Sequence, residues 1–307
     1  MGRRRNQRGR KLNGLFILDK PTGISSNQAL QRVKRMFGAA KAGHTGSLDP
    51  LATGVLPICF GEATKFSQFL LDADKSYFVV AQLGVKTASG DADGEVIETC
   101  SAEAITEQAV LDMLPRFRGE IEQIPSMYSA LKHEGQPLYK LARQGIEVER
   151  KARTVNILSL ELAWFDGDKF AMNVTCTKGT YIRSLVEDIA EALGNCAHVI
   201  ELRRVKSGPY FEAESITLDR LAEELESGGH EALDLHVLPL VTCVSHWPEV
   251  SLTESTSFYL SNGQAVQVPG APTIGWVKLS GADGEFMGVG EILDDGRVAP
   301  RRLVNAS

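Results

Sequence analysis

One imidazole and one carboxylate stand close together in the loop Gly43-His44-Thr45-Gly46-Ser47-Leu48-Asp49-Pro50-Leu51-Ala52-Thr53-Gly54. Pro50 pushes Asp49 away from helical dihedrals toward extended backbone. Neither side chain is placed to serve a helix or the middle of a sheet. Loops on rigid scaffolds are where chemistry concentrates, so Asp49 is the first candidate for a reactive group. An Asp–Pro turn with a capping histidine is the structural alternative.

A second candidate lies in Lys178-Gly179-Thr180-Tyr181-Ile182-Arg183. Thr180 occupies an expected N-cap position, so Arg183 falls in the first helical turn. A cation there opposes the helix dipole at a cost of about 0.3–1 kcal/mol. Such a placement asks for a compensating anion, and a buried arginine–carboxylate pair would hold that acid ionised. Asp49, which must be ionised to act as a nucleophile, is a suitable partner. A rim salt bridge with any other acid satisfies the same local argument. Tyr77 opens a strand after a charged turn, where an aromatic can stack on a base or simply edge the core. A zinc site is unsupported, because one histidine and one aspartate do not make a ligand set. No GxSxG elbow, GxxxxGK[ST] loop or GxGxxG loop occurs, so serine-triad and nucleotide-loop chemistries lack their signatures.

These residues need elements to hold them. Leu15-Phe16-Ile17-Leu18 reads as a strand ended by the turn Asp19–Gly23. Ser25 or Ser26 caps a helix over about 27–37, with Leu30, Val33 and Phe37 on its apolar face and Gly38 as its stop. Strands are expected over 55–60, 77–84 and 170–176, and short helices over 63–71 and 105–114. Leu158, Leu160, Leu162 and Trp164 alternate as in a half-buried strand. A helix over 180–193 carries Ile182, Leu185, Ile189 and Leu193 on one stripe. Beyond about 245, the segments 258–260, 265–268, 275–279 and 288–292 read as short strands of a small β-rich domain. Strands and helices mix without regular βαβ alternation, which predicts an α+β fold rather than a doubly wound sheet.

At 307 residues the chain has room for two domains, and its 43% hydrophobic and 23% charged content is that of a globular protein. No apolar run reaches the roughly 20 residues of a membrane span, and the arginine-rich start lacks a signal-peptide pattern. The five cysteines are scattered and form no CxxC pair, so reduced intracellular thiols are expected. Charge is unevenly spread. Residues 1–11 carry +6, residues 12–211 about −2 and residues 212–307 −10. A basic arm at 1–11 is expected to be disordered and either to contact nucleic-acid phosphates or to remain a solvated tail. Residues 125–153 interleave bases with aromatics (Tyr128, Lys132, His133, Tyr139, Lys140, Arg143). That is the composition of a nucleic-acid-contacting insertion, or of a surface hairpin.

The loop GHTGSLDPLATG resembles the catalytic motif of the TruB family of tRNA pseudouridine synthases. The resemblance continues in LDKPTGISSN (18–27), LPICFGEATK (56–65), KSYFV (75–79), IPSMYSALKHEG (124–135), KGTYIRSL (178–185) and ELRRVKSGPY (201–210). It implies a mixed or antiparallel-sheet catalytic domain over 12–245, with 125–153 as a T-loop-contacting insertion. A small PUA-like domain over 246–307 is implied by a weaker likeness.

The implied reaction is isomerisation of uridine 55 in the T-loop of tRNA to pseudouridine, without cofactor or metal. Asp49 matches the nucleophile, which either adds to C6 of the flipped base or attacks C1′ of the sugar. Tyr77 matches the residue that stacks on the base and is implied to assist removal of the C5 proton. Arg183 matches the arginine paired with the nucleophile. Tyr181 and Leu202 match pocket residues, His44 one that contacts the flipped T-loop, and Lys20 lies in a supporting motif. The implied setting is a cytoplasmic monomer whose partner is tRNA. A T-loop-binding protein without turnover is the reading from another class, but it would have no need to keep Asp49, Tyr77 and Arg183 together.

Overall fold

A computed structural model describes residues 9–129 and 131–305. Strand β1 (Gly14–Lys20) is followed by helix α1 (Ser26–Met36). The Ser25 side chain accepts from the Gln28 amide, and Gln28 answers at the Ser25 amide, closing a capping box. Strands β2 (Ala42–His44) and β3 (Thr53–Phe60) flank the Asp49 loop. Helix α2 (Ser67–Asp72) leads into β4 (Lys75–Leu83). Later come β5 (Gly119–Gln123), β6 (Arg153–Asp166), β7 (Lys169–Cys176), helix α3 (Ile182–Ala192), β8 (Ala197–Ser207) and helix α4 (Leu218–Asp234).

The main sheet runs β1-β3-β8-β4-β7-β6-β5, with the short strand Ile216–Thr217 beyond β1 and β2 pairing β3. Most pairings are antiparallel, but β3 and β8 are parallel. A mixed sheet with helices packed on it is the expected α+β architecture. The sheet places β8, late in sequence, between β3 and β4. Tyr77 then faces Arg204 across one edge of β4 and Val174 across the other.

Gly54 lies opposite Arg204 with φ of +97°. A Cβ there would sit 2.3 Å from the Arg204 carbonyl oxygen, so only glycine lets β3 approach β8 at this point.

Helix α3 buries Leu185, Val186 and Ile189 completely against the β4 side of the sheet. Each such side chain contributes roughly 1.5–3 kcal/mol relative to exposure. That outweighs the ~0.3–1 kcal/mol cost of a cation in the first turn, so the helix holds Arg183 there. α1 and α4 cover another part of the sheet through Phe16, Val33, Phe37 and Leu221.

Several expectations are corrected. The N-cap of α3 is Tyr181, without a side-chain cap; Thr180 Oγ1 instead donates to the Thr177 carbonyl at 2.9 Å. The alternation from Leu158 fails because β6 is bulged between Ile157 and Ser159. Leu158 therefore faces solvent (50% exposed), while Ile157 and Leu160 are buried. Residues 258–260 belong to helix α5 (Glu254–Ser261), which Thr253 caps. Residues 265–268 form no strand but only a bridge from Val266 to Val298, and the C-terminal sheet has four strands: β9 (Glu249–Ser251), β10 (Gly275–Ser280), β11 (Phe286–Ile292) and β12 (Val298–Leu303). Of the basic segment 1–11, residues 1–8 lie outside the described residues. Arg10 does not extend a free arm, since its guanidinium is paired with Asp234.

Residues 125–153 carry a two-residue hairpin (Lys132–His133 with Gln136–Pro137) and the helix Leu138–Ala142 around a small core of Met127, Leu138 and Leu141. Lys132, His133, Lys140 and Arg143 are exposed. Among the described residues no helix is long and apolar enough to cross a membrane.

Candidate active site

The Asp49 loop is suspended from the segment that joins β1 to α1. Ser26 Oγ accepts from the Leu48 amide at 2.7 Å and donates to the Leu48 carbonyl at 3.0 Å. Gly23 N donates to the Pro50 carbonyl at 2.8 Å, and Thr22 Oγ1 to the Leu51 carbonyl at 3.1 Å. Lys20 Nζ reaches the Pro21 and Pro50 carbonyls at 2.8 and 3.4 Å. These bonds satisfy polar backbone that the loop would otherwise bury unpaired.

The loop overlooks a cavity of about 320 Å³. Asp49, Tyr77, Tyr181, Arg183 and Leu202 all line it, together with Lys75, Ser129, Ile182 and Arg204. His44 and Lys20 do not. His44 sits on β2 with its Nδ1 buried and unpartnered among the described residues, and Lys20 is fully buried behind the loop.

Arg183 Nη2 lies 3.0 Å from Asp49 Oδ2, and Nη1 lies 3.3 Å from Asp91 Oδ2. The same guanidinium donates to the carbonyls of Ser89 at 2.6 Å and Tyr128 at 3.0 Å. Arg183 and Asp91 are buried, whereas the Asp49 side chain is 41% exposed toward the cavity. Protein surrounds Asp49 closely on its other sides, and this burial pushes its carboxyl above the ordinary range, with Arg183 opposing the rise. The site therefore presents one reachable carboxylate against a cation whose position is fixed by three other acceptors.

Burial also pushes the Tyr77 and Tyr181 phenols up, Arg204 opposing it at Tyr77. Gln123, itself buried, bonds both the amide and the carbonyl of Tyr181 at 3.1 and 3.2 Å, fixing that wall of the cavity.

Sequence reasoning missed Arg204, Asp91 and Gln123. Arg204 is buried and donates to the carbonyls of Val55 at 2.7 Å and Gly46 at 3.1 Å. Its neighbour Arg203 points outward to Asp19 and Glu212. Adjacent strand residues face opposite sides, so the pair Arg203-Arg204 already signalled that one guanidinium turns inward.

Lys20 gives a test of this electrostatics. Burial lowers its ammonium from 10.5 to about 8. Between these values the unfolded chain binds more protons than the folded one, so stability rises with pH. The Lys20 penalty is full below pH 8 and fades toward pH 10.5. The urea midpoint of wild type is expected to gain on that of Lys20→Met across this window. Parallel curves for the two proteins would show Lys20 to be no buried cation.

The family model for the TruB family pseudouridylate synthase N-terminal domain matches residues 34–182. Models for the tRNA pseudouridylate synthase B C-terminal domain and for the pseudouridine synthase II TruB C-terminal region match residues 183–245 and 248–304. The tRNA pseudouridine synthase B of Coxiella burnetii (strain RSA 331 / Henzerling II) is 57% identical over 295 residues, covering 96% of each chain. The chain belongs to the TruB family. Among solved structures, this TruB-family chain resembles one in a Cbf5-Nop10-Gar1 complex, with TM-score 0.72 and 28% identity over 94% of this chain and 84% of that one. A chain of an H/ACA RNP bound to a substrate RNA containing 2′-deoxyuridine gives TM-score 0.73 and 25% identity, over 97% and 90%. The mixed sheet and the TruB assignment expected from sequence are both borne out, and with them membership of a family of pseudouridine-forming enzymes.

Proposed function

We propose that this enzyme isomerises uridine 55 in the T-loop of tRNA to pseudouridine, with Asp49 as nucleophile and no cofactor. The observation that carries the reading is the single reachable carboxylate held 3.0 Å from a buried guanidinium at the floor of a base-sized cavity.

The target base leaves its stack, at a cost of a few kcal/mol, and enters between Tyr77, Tyr181 and Leu202. Asp49 attacks the nucleotide. Attack at C6 of the ring or at C1′ of the sugar leads to the same balance: the N1–C1′ bond breaks, a C5–C1′ bond forms, the C5 proton leaves and N1 gains one. Arg183 favours the ionised nucleophile and stabilises charge as it redistributes. Tyr77, a phenol held protonated by burial, suits stacking and hydrogen-bond donation first. Taking the C5 proton would draw on Arg204 beside it.

The insertion at 125–153 contributes Ser129 to the cavity and the Tyr128 carbonyl to Arg183. Its exposed Lys132, Lys140 and Arg143 suit the phosphates of a T stem-loop. His44 stands near enough to the loop to meet RNA that covers it.

The test is tritium release from tRNA carrying uridine labelled at C5, followed by mapping of pseudouridine in the product. Stoichiometric release with the product at position 55 is expected. Release with the product elsewhere would overturn the choice of uridine, and no release from any tRNA would overturn the reaction.

A further inference from the structure

A second cavity, of about 630 Å³, opens where α2 meets the C-terminal sheet. Its apolar wall is aromatic. The Phe69 and Trp247 rings lie 4.9 Å apart edge-to-face, Phe69 and Trp276 5.3 Å, and the two indoles 5.5 Å. Trp276 lines this cavity and remains 37% exposed. The rim is cationic. Lys65 is neutralised by Glu62 and Arg301 by Glu291, but among the described residues no carboxylate pairs with Arg302. An indole wall with a guanidinium at its edge matches a nucleobase and its phosphate.

The position of this cavity ties it to the active site. α2 is a shared partition: Leu71 lines the Asp49 cavity, while Phe69 and Asp72 line the second. Lys178, on the rim of the first, bridges to Asp72, on the rim of the second, at 2.8 Å. The two cavities thus share α2 and are linked at their rims by the Lys178–Asp72 pair. We propose that the aromatic cavity is a second RNA subsite, which takes one unpaired nucleotide of the RNA whose uridine occupies the Asp49 cavity. The proposal rests on the RNA reading above.

The experiment uses the full chain and unmodified tRNA. A Trp164→Phe background leaves Trp247 and Trp276 as the only indoles. Their emission is expected to be quenched on tRNA binding. Trp276→Leu and Arg302→Gln are each expected to raise Kd about ten-fold, the scale of one lost stacked base, with the single-turnover rate at saturating tRNA unchanged. Arg302 is exposed, so its variant carries the test even if Trp276→Leu unfolds. Arg297→Gln removes the same charge from the same domain outside the cavity and is expected to leave Kd alone. Unquenched emission, an unchanged Kd for Arg302→Gln, or an equal effect of Arg297→Gln would each overturn the subsite. Failure of wild type to release tritium would overturn the reaction instead, since Kd and emission are read without turnover.

Discussion

Asp49→Asn is expected to abolish tritium release, by on the order of 10⁴-fold or more, as loss of a nucleophile does, while tRNA affinity stays within a few-fold of wild type. The substitution keeps the shape of the side chain, removes its charge and replaces one acceptor oxygen by an amide donor. Arg183 keeps Asp91, the Ser89 carbonyl and the Tyr128 carbonyl as partners, so the cavity retains its framework. The effect on stability has a definite sign. Burial raises the Asp49 carboxyl above its ordinary 3.8, so only at pH values between 3.8 and the raised value does the folded state hold a proton that the unfolded state has released. That cost is absent below 3.8, grows as pH rises from there toward the raised value and is constant above it. Asparagine escapes it, and the variant is expected to show a higher urea midpoint than wild type at pH 7, with the gap closing toward pH 4. Normal turnover by Asp49→Asn would end the assignment of the nucleophile.

Arg183→Met is expected to be damaging in two ways. It leaves two carboxylates in one site and strips the Ser89 and Tyr128 carbonyls of their donor. Removing one partner from a buried ionic cluster costs on the order of 3–5 kcal/mol, and calorimetry or urea titration reads that directly. The chemistry suffers separately, because Arg183 is the contact that most opposes the rise of the Asp49 carboxyl. Without it the acidic limb of the single-turnover rate profile should move to higher pH. Arg183→Lys keeps the charge but cannot reach four acceptors from a single nitrogen, so it should recover only part of both losses. Adding Asp91→Asn to Arg183→Met should restore part of the stability by removing one of the two like charges. A rate profile for Arg183→Met that superimposes on that of wild type would show the pair to be structural only.

Much of this site was legible in residue order. The glycines and Pro50 around Asp49 and the first-turn place of Arg183 marked both as candidates, while an Asp–Pro turn and a rim salt bridge stayed open until the likeness to the TruB family singled the two residues out. The capping serine of α1 and the stripe on α3 followed from ordinary helix chemistry. What escaped was set by tertiary pairing. Asp91 sits in Ser89-Gly90-Asp91-Ala92-Asp93, where nothing local distinguishes the buried acid from its neighbour. The exposure of Leu158 depends on a bulge that period-two reasoning passes over. Phe258–Leu260 has strand-forming residues, but the Thr253 cap ahead of them starts a helix. Lys20 and His44 carry reactive groups, yet the register of β1 and β2 against β3 leaves both off the cavity wall.

The place of β8 in the sheet has a consequence for the ribosome-bound chain. β8 supplies Leu202 and Arg204 and is the strand that joins β3 to β4. A nascent chain ending before residue 197 has made Asp49, Tyr77 and Arg183 but has no strand to bring the halves of the sheet together. The halves meet only when β8 inserts between them, a closure over long sequence separation and hence a slow one. Catalytic competence should therefore switch on as a step once Ser207 has cleared the exit tunnel, rather than grow with chain length.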